Sequence, residues 1–171
     1  MIFLLFLFGL ALGAESPSDD KEVKLQLDNQ AVKLLRGNCP LFWYSFNGCC
    51  YKYVATHMTW ADAEFYCLSE GANLVSVHNK YQDDFIKSLI RNFDHAGGPT
   101  WIGLSDIHRE GRWMWSDGSA VRFAYWNTGE PNNSGGREHC VLNNYGTAKK
   151  WGDYSCSYSY PSVCAKCNVC N

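Results

Sequence analysis

Only two stretches of the chain carry a helical period of apolar residues; most of the rest alternates short apolar runs with turn residues. In THMTWADAEFYCLSEGA, Trp60, Ala63 and Cys67 fall on one face, Thr59 with Asp62 forms a helix N-cap box, and Gly71 supplies the stop. In NKYQDDFIKSLIRNF, Phe85, Ile86, Leu89, Ile90 and Phe93 make the buried stripe of a second helix. Ahead of both, CPLFWYSFNGCCYKY predicts two short strands around a turn at Asn47-Gly48, and between them NLVSVH predicts a strand. After about His95 the helical period disappears. TWIGLSD, GRWMWSDG, FAYWNTGEP, EHCVLNN, KKWGDYSC and YPSVCAKC are aromatic-rich runs between turn signals, which predicts strands and loops. The region from about Ser105 to Asn133 has little periodicity, yet five tryptophans between Trp101 and Trp151 predict that it is ordered. Trp101, Trp113, Trp115 and Trp126 read as core and loop-packing residues.

The two ends of the chain have a different texture. MIFLLFLFGLALGA is apolar, gives way to small residues at Ala11, Gly13 and Ala14, and is then followed by charge. This predicts a secretory signal peptide over residues 1–14, because the run is shorter than the ~20 residues a spanning helix needs. Residues 15–38 are charged and cysteine-free; Leu27, Ala31, Leu34 and Leu35 share one helical stripe, and the segment reads as a leader, propeptide or short neck. One domain is expected over residues 39–167, with a cysteine-containing tail at 168–171.

Composition narrows the class. The chain has 171 residues, 46% of them hydrophobic and 15% aromatic, enough for a packed core. A net charge of -2 without a long basic run argues against nucleic acid as the partner. Nine cysteines in a secreted chain imply a disulfide framework, and the odd count leaves at least one thiol free or bonded to another chain. Cys164, Cys167 and Cys170 lack the fourth ligand of a zinc site.

The candidate chemistry lies in EPNNSGGREHC, Glu130 to Cys140. Two carboxylates and two carboxamides surround a proline and two glycines. Calcium takes about 6–8 such oxygens, and proline lowers the cost of a cis peptide that turns neighbouring side-chain oxygens toward one point. Solvated surface polarity is one competing reading. A hydrolytic carboxylate pair is the other, but Glu130 and Glu138 sit on one loop, which suits chelation better than facing each other across a substrate. There is no GxSxG, the five histidines show no metal-ligand spacing, and no enzyme activity is expected. Asn132-Asn133-Ser134 is a glycosylation acceptor sequence.

In order, CPxxWxxxxxxCY from Cys39, two helices, WIGL at Trp101 to Leu104, WxWxDG with Trp113 and Trp115, EPN and the closing VCAKC resemble a C-type lectin-like domain. The resemblance covers residues 39 to about 167, and the whole is similar to small secreted fish lectins and the related type II antifreeze proteins. It implies an α+β fold, with two helices flanking small antiparallel sheets and a long irregular region at one end. It implies disulfides Cys39–Cys50, Cys67–Cys164 and Cys140–Cys156. Cys49 would then reach Cys167 or Cys170, and the remaining cysteine is a candidate for a disulfide-linked oligomer.

The resemblance also implies a cis Pro131 and a calcium ion held by Glu130, Asn132, Glu138 and Asp153. Gly152 departs from the pattern, because the family carries an asparagine there that binds the metal and donates to the sugar. The Glu-then-Asn order implies glycans of the mannose, fucose and N-acetylglucosamine types, met by Glu130, Asn132 and Glu138. Asp106 and Glu110 match a second family calcium site in which Asn133 and His139 replace acids. The expected function is therefore a secreted, calcium-dependent lectin of innate defence, mucus or venom. Two alternatives stay open: ice binding through a flat loop surface, and protein binding without calcium, which Gly152 favours more than ice.

Overall fold

The computed structural model describes residues 33–167. The Asn47-Gly48 turn closes a hairpin of β1 (Tyr44–Phe46) and β2 (Cys49–Met58). Both turn residues have positive φ, 50° and 78°, the conformation a tight hairpin turn requires and Asn-Gly tolerates. Then come α1 (Trp60–Ser69), β3 (Asn73–Leu74), α2 (Lys80–Phe93), β4 (Thr100–Ser105) and β5 (Met114–Trp115). After a long loop the chain ends in β6 (Cys140–Tyr145), β7 (Lys150–Tyr154) and β8 (Tyr160–Cys167). The sheet order is β1-β2-β8-β4-β6-β7, with β3 beside β8 and β5 beside β4. Only the β4–β8 contact is parallel, so this is an α+β fold built on one mixed sheet.

β4 runs through the middle of the molecule, and all six of its residues are buried. Its side chains alternate between two cores. Trp101 joins Trp60, Ala63, Cys67, Leu142 and Cys164 under α1, while Ile102 and Leu104 join Ile86, Leu89, Ile90, Trp115 and Trp151 under α2. Trp60 is fixed at the first position of α1 by its indole N–H, which donates to the Ile102 carbonyl at 2.9 Å. Thr59 Oγ1 accepts the Asp62 N–H at 3.2 Å, and Asn79 Oδ1 accepts the Gln82 N–H at 2.9 Å, so both helices start at a side-chain cap.

Four disulfides staple the layers: Cys39–Cys50, Cys67–Cys164, Cys140–Cys156 and Cys49–Cys167. Cys49 faces Cys167 directly in the β2–β8 register, which selects Cys167 over Cys170 as its partner. Loops of 97 and 118 residues are closed in this way, and each closure removes about 4–5 kcal/mol of chain entropy from the unfolded state.

Three local expectations change. Phe93 is half exposed rather than buried, because α2 runs out over the hairpin and its ring stacks on Tyr53 at 5.7 Å. Only Asn73–Leu74 of NLVSVH forms a strand, since the chain then turns under α2 to reach Asn79. Leu34 and Leu35 are not helical; the Leu35 carbonyl accepts the Ser45 N–H at 2.7 Å. Leu27 and Ala31, residues 1–14 and the tail 168–171 lie outside the described residues. Among the described residues no helix is long and apolar enough to cross a membrane.

One buried charge ties α2 to the sheet. The Asp83 side chain, fully buried, accepts the Trp151 indole N–H at 2.9 Å and the Asn143 amide at 3.1 Å, and pairs with Lys87 at 2.7 Å. Asp83→Ala strands all three donors, and loss of about 3–5 kcal/mol is expected from guanidinium unfolding with the disulfides intact. A change below about 1 kcal/mol contradicts this role.

Candidate functional site

The loop before β6 is organised around Asp153, which β7 carries into the interior at 1% exposure. Asp153 Oδ1 accepts the Asn132 N–H at 2.9 Å and Oδ2 accepts the Asn133 N–H at 2.7 Å. The Glu130–Pro131 peptide is cis. Across it, Asn132 Nδ2 donates to Glu130 Oε2 at 2.8 Å. Glu138 Oε2 accepts the Ser134 N–H at 2.9 Å, while its own N–H donates to Asn133 Oδ1 at 3.0 Å. Glu130, Asn132, Glu138 and Asp153 are thus parts of one hydrogen-bonded unit.

That unit is rich in negative charge. Among the described residues no lysine or arginine lies within 4.0 Å of its three carboxylates. Burial and then the adjacent Asp153 carboxylate push the Glu130 carboxyl up to about 7, with the Glu138 charge adding and the Asn132 amide opposing. The donor set fits a hard cation: three carboxylates and an amide carbonyl, with the second lone pairs of Asp153 still available.

Gly152 is filled by a neighbour rather than left open. A Cβ built on it would lie 2.3 Å from Tyr145 Cδ1 and 2.6 Å from Cγ, the rigid root of the ring. The register slips between Leu142 and Tyr145, which brings the ring over Gly152 instead of outward. Burial and then the charges of Glu130 and Glu138 push the Tyr145 phenol up, so its hydroxyl shares the site of the acids. The sequence reading assigned Tyr145 no role; the only signal for it was the missing side chain at Gly152.

Asp106, Glu110 and His139 form a second cluster, with ligating atoms all within 4.8 Å of one another. His139 Nδ1 donates to Asp106 Oδ1 at 2.9 Å and lies 3.5 Å from Glu110 Oε2. The imidazole therefore satisfies acids that elsewhere in the family face a cation. Asn133 joins this cluster to the first one, donating to Glu110 and accepting from Glu138.

A groove of about 470 Å³ adjoins the first cluster, bordered by Ser134, Arg137, Glu138, Tyr154 and Tyr158. A larger cleft of about 620 Å³ lies against β2, β3 and β8 and includes none of the predicted site residues. Its polar groups satisfy one another: Ser76 Oγ donates to Asp117 at 2.5 Å and lies 3.0 Å from His78 Nε2.

The sequence model of the lectin C-type domain matches residues 56–166. The chain is 44% identical over 135 residues to lactose-binding lectin l-2 of Anguilla japonica, covering 77% of this chain and 80% of that protein. It is 39% identical to ladderlectin of Oncorhynchus mykiss, covering 78% and 70%. Herring type II antifreeze protein superimposes with a TM-score of 0.70 at 36% identity, over 75% of this chain and 98% of that one. With this match, these relatives and the shared fold, the chain belongs to the C-type lectin domain family, whose members bind carbohydrate rather than catalyse reactions.

Proposed function

We propose that this carbohydrate-binding domain is a secreted, calcium-dependent lectin that recognises sugars through Glu130, Asn132 and Glu138. One observation carries the reading: three carboxylates and an amide are gathered on Asp153 with no basic side chain among them. Calcium, when bound, supplies a Lewis acid that takes two vicinal sugar hydroxyls. Glu130, Asn132, Glu138 and Asp153 hold the ion. Glu130 and Glu138 also accept from those hydroxyls, and the Asn132 amide donates to them. The Glu-then-Asn order supports mannose, fucose and N-acetylglucosamine over the lactose for which the eel relative is named.

Four disulfides support an oxidising, extracellular setting, with residues 1–14 as the removed signal peptide. Eight of the nine cysteines form those bonds. The ninth, Cys170, links copies of the chain in this reading, raising the avidity of a weak single site. Ice binding is the second reading, favoured by the herring antifreeze neighbour. The concave groove beside Glu138 supports a sugar over a flat ice face.

Retention of the purified protein on mannose-agarose tests the proposal. Retention in calcium, release by a chelator and release by free mannose but not lactose are expected. Reduction of the Cys170 link weakens retention without changing the order of sugars. A proton on Glu130 competes with the ion, so retention is present above about pH 7 and is lost as the pH falls below it. Retention that ignores the chelator overturns the calcium reading and leaves a protein-interaction module. Release by lactose alone overturns the mannose assignment.

The Tyr145 contact gives a second test. Gly152→Asn alone forces the new Cβ into the ring and should lower the melting temperature of the domain. Combined with Tyr145→Ser it should recover that stability and bind calcium more tightly than the natural chain. A tolerated single substitution would show that the ring does not occupy the asparagine position.

A further inference from the structure

Away from the Glu130 loop, three lysines crowd one aromatic ring. The Nζ atoms of Lys87, Lys150 and Lys80 lie 4.7, 4.9 and 5.1 Å from the centroid of Tyr125. Points so close to a common centre fall within about one Debye length of one another, ~10 Å at 0.1 M salt, so their charges repel and their fields add. The fold enforces the crowding. Lys80 opens α2 and Lys87 lies two turns along it, while the Tyr125 carbonyl accepts the Trp151 N–H at 2.9 Å and so sits beside Lys150.

The positive strip continues. Arg91 follows Lys87 by one turn of α2. Its Cγ would meet a Cβ on Gly97 at 3.3 Å, and Lys149 Nζ donates to the Gly97 carbonyl at 2.8 Å from the other side. Five cations therefore share one face. Only two have a carboxylate partner: Lys80 pairs with Asp84, and Lys87 with the buried Asp83. Among the described residues Arg91, Lys149 and Lys150 have no carboxylate within 4.0 Å. The strip is positive on a chain whose net charge is -2, so the sorting of charge is local.

A row of ammonium groups held over a ring, and short of counter-ions, suits a ligand with anions at intervals and apolar ring faces between them. A sulfated polysaccharide has both. Its sulfates accept from the lysines more strongly than the aromatic face does, and its sugar C–H faces pack on the half-buried Tyr125. We propose that Lys80, Lys87, Tyr125 and Lys150, extended by Arg91 and Lys149, form a binding site for sulfated polysaccharide. This site is separate from the Glu130 loop and does not depend on calcium.

The test is binding of the full chain to a heparin octasaccharide by surface plasmon resonance, in chelator, across 50–300 mM sodium chloride. Binding that weakens steeply with salt is expected, since lysines displace condensed counter-ions. The exposed triple variant Lys80→Gln, Lys149→Gln, Lys150→Gln keeps Lys87 on its buried partner and should lose about tenfold or more in affinity while melting like the natural chain. Asp153→Asn, which damages the Glu130 site, should leave heparin binding unchanged. No binding at 50 mM salt, or equal binding by the triple variant, overturns the proposal. Binding abolished by chelator or by Asp153→Asn assigns the ligand to the other site. Equal affinity for duplex DNA or for phosphatidylserine vesicles overturns the choice of sulfated sugar. The chelator and Asp153→Asn arms separate this outcome from failure of the calcium-lectin reading.

Discussion

A single buried carboxylate holds the irregular half of this domain in place. Asp153 takes the backbone N–H groups of Asn132 and Asn133 on its two oxygens, and with them the loop between β5 and β6. Buried backbone donors must be satisfied, and here a side chain does what a sheet partner does elsewhere. The arrangement has an electrostatic consequence. The group that orders the loop also brings a negative charge against Glu130, and Glu138 adds a third. A proton at low pH, or a cation above it, relieves that repulsion. Order and ligand binding are therefore linked through one residue, and a substitution at Asp153 disturbs both.

Gly152 and Tyr145 form the other coupled pair. Glycine removes an amide that the family pattern places beside the ion, and the Tyr145 ring takes the vacated space. The phenol is a donor as well as an acceptor, so the site has exchanged one polar group for another of different reach. His139 is a similar exchange: its imidazole answers Asp106 and Glu110 from within the chain. Both changes move the loop region away from many-liganded cation binding and toward self-sufficiency. What is left to the solvent side is the set around Glu130.

Much of this was legible in the sequence, for reasons of period and turn chemistry. The stripes of α1 and α2 were readable because helical spacing repeats, and the Asn47-Gly48 hairpin because few residues accept positive φ. Phe93 was misread because periodicity reports a face and not what covers its far end. β4 carries no alternation of polarity, since both of its faces are buried, and only WIGL marked it. The gathering of Glu130, Asn132, Glu138 and Asp153 was legible only through resemblance, because three come from one loop and the fourth from β7. Tyr145 was invisible: its position depends on a register slip between β6 and β7. The same holds for Asp83, a charged residue inside an amphipathic helix, and for the lysines around Tyr125, which come from different elements.

The central claim is that the Glu130 carboxyl, crowded by Asp153, gives up a proton to a cation. The most direct measurement is a calorimetric calcium titration at pH 7 in two buffers with different heats of ionisation. The account predicts single-site binding whose heat depends on the buffer, corresponding to release of about half a proton. No heat at millimolar calcium, or a heat identical in both buffers, would contradict it.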